Sequence, residues 1–400
     1  MTHAITRVSS SLNKFVLKGA NRYCLAPCVT SPIQVANLTA YGGNPPKREK
    51  PWPYKEKGFR YWHIPFDLAA RRFNENTKII VIEGNLATGK TELGQKLAKE
   101  FDMLYVPDIR NAEMCDTIPA KGIDLREYDE QLPVKARTCD FEKFYSKKGS
   151  KKELENFPRI QYELYRQKVY RYAHNILAHV LNTGQGVVMS RGMWSDMVFA
   201  HTLTRQGYMR PAALKAYMFQ YTNSTVYFCR PHLVIYLDAP VSTIKDRIKK
   251  RNVPWEVNSP VLTDDFLHTV GDVYKTQYLP SMKKNSLILN YNVKEMPDFE
   301  AIVEDMERLD LDDAPFENDK LFEDWRNLAN GDWNHYRNLC SVQRSNKIAE
   351  IFDFHPHQKY DAPELFLDQG DAEAFREIVL SDPKCLYSKE IIKNGQLAVY

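Results

Sequence analysis

The chain predicts an α/β fold, a mostly parallel sheet flanked by helices, and three observations carry that reading. Short apolar runs rich in β-branched residues recur at 79–82, 103–106, 187–189, 233–237 and 287–289. Such runs suit strands covered on both faces. Stretches with helical spacing lie between them, and strands alternating with helices build a parallel sheet with its ligand at the strand C-terminal ends. Third, the first run leads directly into a glycine-rich loop and then a helix start.

That loop is Gly84, Asn85, Leu86, Ala87, Thr88, Gly89, Lys90 and Thr91, which fits the phosphate-loop pattern G-x-x-x-x-G-K-S/T. Glycines let successive backbone N–H groups point into one concavity. The helix that follows adds its partial positive charge, so a polyphosphate is held by dipoles before any side chain acts. Lys90 then reaches the terminal phosphates and the Thr91 hydroxyl meets a Mg²⁺ that arrives with the nucleotide. Leu93, Leu97 and Phe101 keep helical spacing behind the loop, the context a P-loop NTPase-type sheet requires.

The other elements follow in order. Residues 110–152 read as an irregular, polar insertion over the site. Ile160, Leu164, Val169, Ala173, Ile176, Leu177, Val180 and Leu181 mark one long helix, stopped by Gly184-Gln-Gly186. The third strand ends at Ser190-Arg191-Gly192, and a helix over 195–204 closes at Gly207. A basic helix over 241–251 follows the fourth strand, and 300–309 is a last amphipathic helix.

Around this domain, taken as 77–309, lie three other segments. Residues 1–43 carry Arg7, Lys14, Lys18 and Arg22, and no acid precedes Glu49. Val8, Leu12, Phe15, Val16 and Ala20 share one helical face, a mitochondrial transit-peptide pattern that leads to the matrix. Asn13, Lys14 and Lys18 interrupt the apolar core that a secretory signal would need. Residues 44–76 form a lead-in dense in proline and in Trp52, Tyr54, Phe59, Tyr61, Trp62 and Phe66. Disordered tails rarely carry so many rings, so this segment lies along a surface, its own or a partner's. Residues 310–400 hold Trp325, Trp333, Tyr336, Phe352 and Phe354 without clean periodicity, an extension that covers the domain or docks elsewhere.

Composition removes several functions. At 43% hydrophobic and 26% charged the chain is an ordinary globular protein. A net charge of +4, supplied largely by the N-terminal segment, is too weak for a dense nucleic-acid-binding face. No apolar run approaches the roughly 20 residues of a membrane span. The seven cysteines are scattered, and Cys24 and Cys28 have no second pair nearby, so neither zinc nor an iron–sulfur centre is expected. His355-Pro-His357 reads as a loop.

Several segments carry a family resemblance: Arg71-Arg-Phe-Asn-Glu-Asn-Thr-Lys-Ile-Ile80, Thr183-Gly-Gln-Gly-Val-Val188, Trp194-Ser-Asp-Met-Val-Phe199 and Pro231-His-Leu-Val-Ile-Tyr-Leu-Asp-Ala-Pro240. With the loop, they resemble the deoxynucleoside kinase family over about residues 61–308, and more closely its kinase-like accessory subunits of mitochondrial complex I, the NADH:ubiquinone oxidoreductase. In active kinases the resemblance implies four parts: the phosphate loop, an acid after the second strand as base, an acid-Arg-Ser corner after the third, and an arginine-rich lid. Asp108 is the candidate base here. At the corner Ser190 stands in the acid's place and Gly192 in the serine's, while Arg191 remains to pair with a phosphate. The lid candidates are Arg247, Lys249, Lys250 and Arg251, with lysines in place of some fork-shaped donors. Gln161, read as an exposed helical glutamine, is the base-reading candidate.

The resemblance therefore implies a non-catalytic accessory subunit that supports assembly or stability of complex I. It would hold ATP or a deoxynucleotide with Mg²⁺ as a structural ligand, and its partners would be other complex I subunits. It would sit on the matrix side and meet the inner membrane only through the complex. FAD enters by family attribution alone, since no G-x-G-x-x-G follows a strand. The alternative is an active mitochondrial deoxynucleoside kinase, with Asp108 as base and Arg191 and Arg251 on the phosphates.

Overall fold

The computed structural model describes residues 38–381 except 43, 112, 114–123, 147–155, 312–320, 326–332, 342–347, 349 and 353–355. Most of the expected transit peptide, Cys24, Cys28, Phe354 and His355 lie outside the described residues.

Five strands form one sheet: β1 (Ile79–Gly84), β2 (Leu104–Val106), β3 (Val187–Ser190), β4 (Leu233–Asp238) and β5 (Leu287–Asn292). Their order is β2-β3-β1-β4-β5, and every pair is parallel. β1 is central, with Ile80 paired to Val188 on one side and Leu233 on the other. All its residues are buried, which is why its sequence is apolar on both alternating faces. Ile80 and Ile82 face Leu93, Leu97 and Phe101 of α1 (Lys90–Glu100) and Ile302 and Met306 of a late helix (Phe299–Glu307). Ile79 and Val81 face the opposite layer, which contains Tyr165, Val169, Trp194 and Val198.

That second layer begins with α2 (Phe157–Arg171), which starts three residues earlier than its spacing suggested, with Pro158 in its first turn. It continues through a π-helical stretch (Tyr172–Leu177) and a final segment (Ala178–Thr183) to Gly184, whose φ of 70° ends it. Next come α3 (Asp196–Arg205), α4 (Pro211–Thr225), α5 (Val241–Arg251) and α6 (Asp264–Val273). Sequence spacing missed α4 and α6. α4 buries only Ala213, Ala216, Tyr217 and Gln220 before its polar last turn, so its apolar stripe is faint. α6 starts at Thr263, whose Oγ1 accepts from Phe266 N–H at 3.1 Å; it buries Phe266, Leu267, Val270 and Val273 at helical spacing before passing into a second π-helical stretch (Tyr274–Tyr278).

The terminal extensions pack on this body. Leu38 is buried, and Thr39 exchanges hydrogen bonds with the Asn76 side chain. Tyr54 and Phe59 are buried too. In the C-terminal extension, Trp333–Leu339, Pro356–Asp361 and Gln369–Ser381 are helices, where the sequence offered no clean period and a loop at His355-Pro-His357. Arg337 ties the two ends together: its guanidinium pairs with Asp67, which Arg72 also grips at 2.8 and 2.9 Å. Among the described residues no helix is long and apolar enough to cross a membrane.

Candidate phosphate-binding site

The loop sits where β1 ends and α1 begins. Gly84 has a φ of 142°, and a Cβ there would come within 2.6 Å of the Leu237 carbonyl oxygen on β4. Only glycine fits that turn. Ala87 (φ 53°) and Gly89 (φ 96°) complete the bend. Asn85 turns away from the cavity and fixes the loop, donating to Leu267 O at 2.8 Å and accepting from Leu86 N–H. The Lys90 ammonium folds back onto Gly84 O, Asn85 O and Thr88 Oγ1. Burial and then the nearby Arg191 charge drive its pKa well below the usual lysine value, so a phosphate arriving there relieves a cation held at a cost.

A cavity of about 870 Å³ opens over this loop. Leu86 to Glu92, Asp108, Gln161, Arg191, Arg247, Lys250 and Arg251 all line it, so the structure gathers nearly every residue the sequence nominated. Gly84 and Asn85 do not line it. Arg247 already donates to Thr88 O at 2.9 Å, and Arg251 pairs with Glu256. Lys250 is exposed at the rim, while Lys249 is exposed and does not line the cavity.

The corner after β3 is built differently from the kinase pattern. Ser190 is buried and shares a hydrogen bond of 2.8 Å with the Tyr105 hydroxyl of β2. Arg191 takes a left-handed φ of 56° and pairs with Asp108 at 3.1 Å, while its ring contact is Phe199 at 4.8 Å. Its buried Nε has no hydrogen-bond partner among the described residues, an opening that an anion suits. Burial alone would raise the Asp108 pKa, but Lys168, Arg191, the Ile109 N–H and Lys90 outweigh it and hold the carboxyl below its usual range. A carboxylate stabilised as the anion is a weak proton acceptor. Beneath the corner, fully buried Glu83 accepts from Gly192 N–H at 2.8 Å and from the Tyr274 and Tyr278 hydroxyls. Burial pushes its carboxyl pKa up.

Gln161 needs correction. It is 4% exposed, because α3 and α4 cover the face of α2 that spacing left outward. Its Nε2 donates to Asp196 at 2.8 Å. Asp196 also takes Lys168 at 2.7 Å and the Tyr217 hydroxyl at 2.7 Å, so three donors from the chain saturate a buried carboxylate. Sequence reasoning missed Lys168 and Asp196. Lys168 was findable, since seven residues from Gln161 is two helical turns on one face. Asp196 lay within the Trp194–Phe199 block without being singled out. The insertion is also less polar than expected where it meets the site: Phe141, Phe144 and Tyr145 wall the cavity. Among the described residues no cluster of His, Cys, Asp and Glu is arranged to hold a metal ion; Thr91 is exposed and lines the cavity.

A family model for deoxynucleoside kinase matches residues 80–330. The mitochondrial NADH dehydrogenase (ubiquinone) 1 alpha subcomplex subunit 10 of Bos taurus is 32% identical over 270 residues, 67% of this chain and 75% of that protein. The Rattus norvegicus protein of the same name is 30% identical over 318 residues, 76% of this chain and 85% of its own length. Among solved structures, deoxyadenosine kinase from M. mycoides with bound dATP is similar at 18% identity and a TM-score of 0.40, covering 57% of this chain and 98% of that one. The chain belongs to the deoxynucleoside kinase family, alongside the mitochondrial alpha subcomplex subunit 10 proteins.

Proposed function

We propose that this chain is a non-catalytic accessory subunit of mitochondrial NADH:ubiquinone oxidoreductase, complex I. Its kinase-like domain holds a nucleotide as a structural ligand, and the subunit supports assembly or stability of the complex from the matrix side of the inner membrane. The observation that carries the non-catalytic part is the corner after β3. Ser190 is tied to Tyr105 where an acid would be needed, and the candidate base, Asp108, is locked on Arg191 as a stabilised anion. The assembly part is supported by the names of the relatives. The nucleotide part is supported by the loop, the buried Lys90 ammonium and the open Nε of Arg191. ATP or a deoxynucleotide fits these cations. Mg²⁺ would come with it and meet Thr91, and flavin binding draws on no residue of this chain.

Depleting the chain from cells should lower assembled complex I, and re-expressing Asp108→Asn should restore it as fully as the native chain. Rescue by the native chain alone would overturn the non-catalytic reading.

A second reading, an active deoxynucleoside kinase, is favoured by one observation: Asp108, Arg191 and the loop converge on one cavity. Phosphate transfer from ATP to a deoxynucleoside, lost in Asp108→Asn, would establish it.

A further inference from the structure

The lead-in has two faces, and only one is used by the domain. Inward, the Tyr54 hydroxyl meets His179 Nδ1 at 2.8 Å, and Arg337 stacks 3.7 Å over the Phe59 ring. Outward, the 3-10 turn Tyr61–Phe66 presents Trp62 at 61% exposure and Phe66 at 84%, with Leu68 at 45% just beyond. Large apolar side chains clustered within eight residues, in and just beyond one turn, and left open mark a contact surface.

The surroundings say what kind of surface. Lys55, Lys57, Arg60 and Arg71 are all exposed around the turn, and Arg60 lies 4.9 Å over the Trp62 ring. None of the four has a carboxylate partner among the described residues. Glu56 is the one exposed acid from 55 to 71. That charge complements an anionic occupant. Trp62, Phe66 and Leu68 stand beside these cations in one short exposed segment, a pairing of apolar tips and positive charge that suits an anionic fluid layer. Aromatic tips ringed by Lys and Arg are what the headgroup region of a bilayer selects.

We propose that residues 55–71 form a membrane-interface contact, with Trp62, Phe66 and Leu68 inserted among the headgroups of an anionic bilayer and the four cations on lipid phosphates. The contact gives the chain a direct hold on the membrane in addition to any hold through neighbouring subunits. It is tested apart from the complex I reading, because vesicles contain no respiratory subunit.

The experiment is co-sedimentation of the protein recovered from mitochondria with vesicles of phosphatidylcholine alone, or with one-fifth cardiolipin. The native protein should bind the cardiolipin vesicles and leave the neutral ones. Lys57→Gln with Arg60→Gln should weaken binding on the order of 20-fold, about fivefold for each basic residue near the surface. Trp62→Ala with Phe66→Ala, both exposed and safe for folding, should weaken it as well. Brominated lipid should quench tryptophan emission in the native protein, and Trp62→Ala should abolish that quenching. Equal binding to both vesicle types, or no binding to either, would overturn the proposal. So would variants that keep vesicle binding while leaving the large NADH-oxidising assembly, because the patch would then face a protein.

Discussion

The phosphate loop and the corner after β3 sit side by side at the ends of neighbouring strands, yet they differ in what holds them. The loop is a backbone device. Its shape comes from Gly84, Ala87 and Gly89 at positive φ, and its donors are N–H groups that exist whatever side chains lie nearby. The corner is a side-chain device, and on the proposed reading Ser190 leaves it without the charge that phosphoryl transfer needs. The proposed function uses that difference, because a backbone cradle tolerates sequence change and a catalytic constellation does not.

That contrast can be broken first at its strongest point. Gly84→Ala forces a Cβ to 2.6 Å from Leu237 O at a φ only glycine favours, which should cost about 3 kcal/mol. Thermal melting would show the loss and nucleotide binding would vanish with it. An unchanged melting point would mean that the backbone does not define the loop.

Lys90→Ala leaves the fold standing but removes the buried ammonium, and a charge-assisted bond is worth about 2 kcal/mol. Titration with ATP and Mg²⁺ should show affinity falling roughly 30-fold; an intact affinity would remove the nucleotide from the loop.

Asp108→Asn sharpens the comparison from the other side. It frees Arg191 and deletes a negative charge facing the phosphates, so ATP should bind about fivefold tighter, near 1 kcal/mol. Weaker binding would show that Asp108 helps to hold the ligand. The variant should also alter acid unfolding. The folded carboxyl titrates below its unfolded value, so its stabilisation is present above that unfolded value and is lost as pH falls through the folded one. Asp108→Asn should remove that part of the acid limb and leave stability between about pH 6 and 8 equally flat.

The smallest effect belongs to Ser190→Ala. Losing the Tyr105 hydrogen bond should cost about 1 kcal/mol of stability and leave ATP affinity unchanged. A marked fall in affinity would put the Ser190 hydroxyl itself, beside Arg191, among the groups that hold the ligand.

The sheet was legible because burial on both faces writes itself as a continuous apolar run, as at Ile79 to Ile82. The loop was legible because its chemistry is local in sequence. What escaped is non-local. Gln161 looked exposed because the residues that cover it, Asp196 and Tyr217, come from helices 35 and 56 positions further along. Glu83 sits one residue before the loop, and nothing nearby in sequence announces that Gly192, Tyr274 and Tyr278 converge on it. The helix over 264–273 was legible in principle, since Phe266, Leu267, Val270 and Val273 keep helical spacing.

The central claim is tested most directly by native sizing of gently solubilised mitochondria, following this chain alongside NADH-oxidising activity. The whole population should migrate with the very large NADH-oxidising assembly. A free monomer or dimer would contradict the account and return the cavity to the kinase reading.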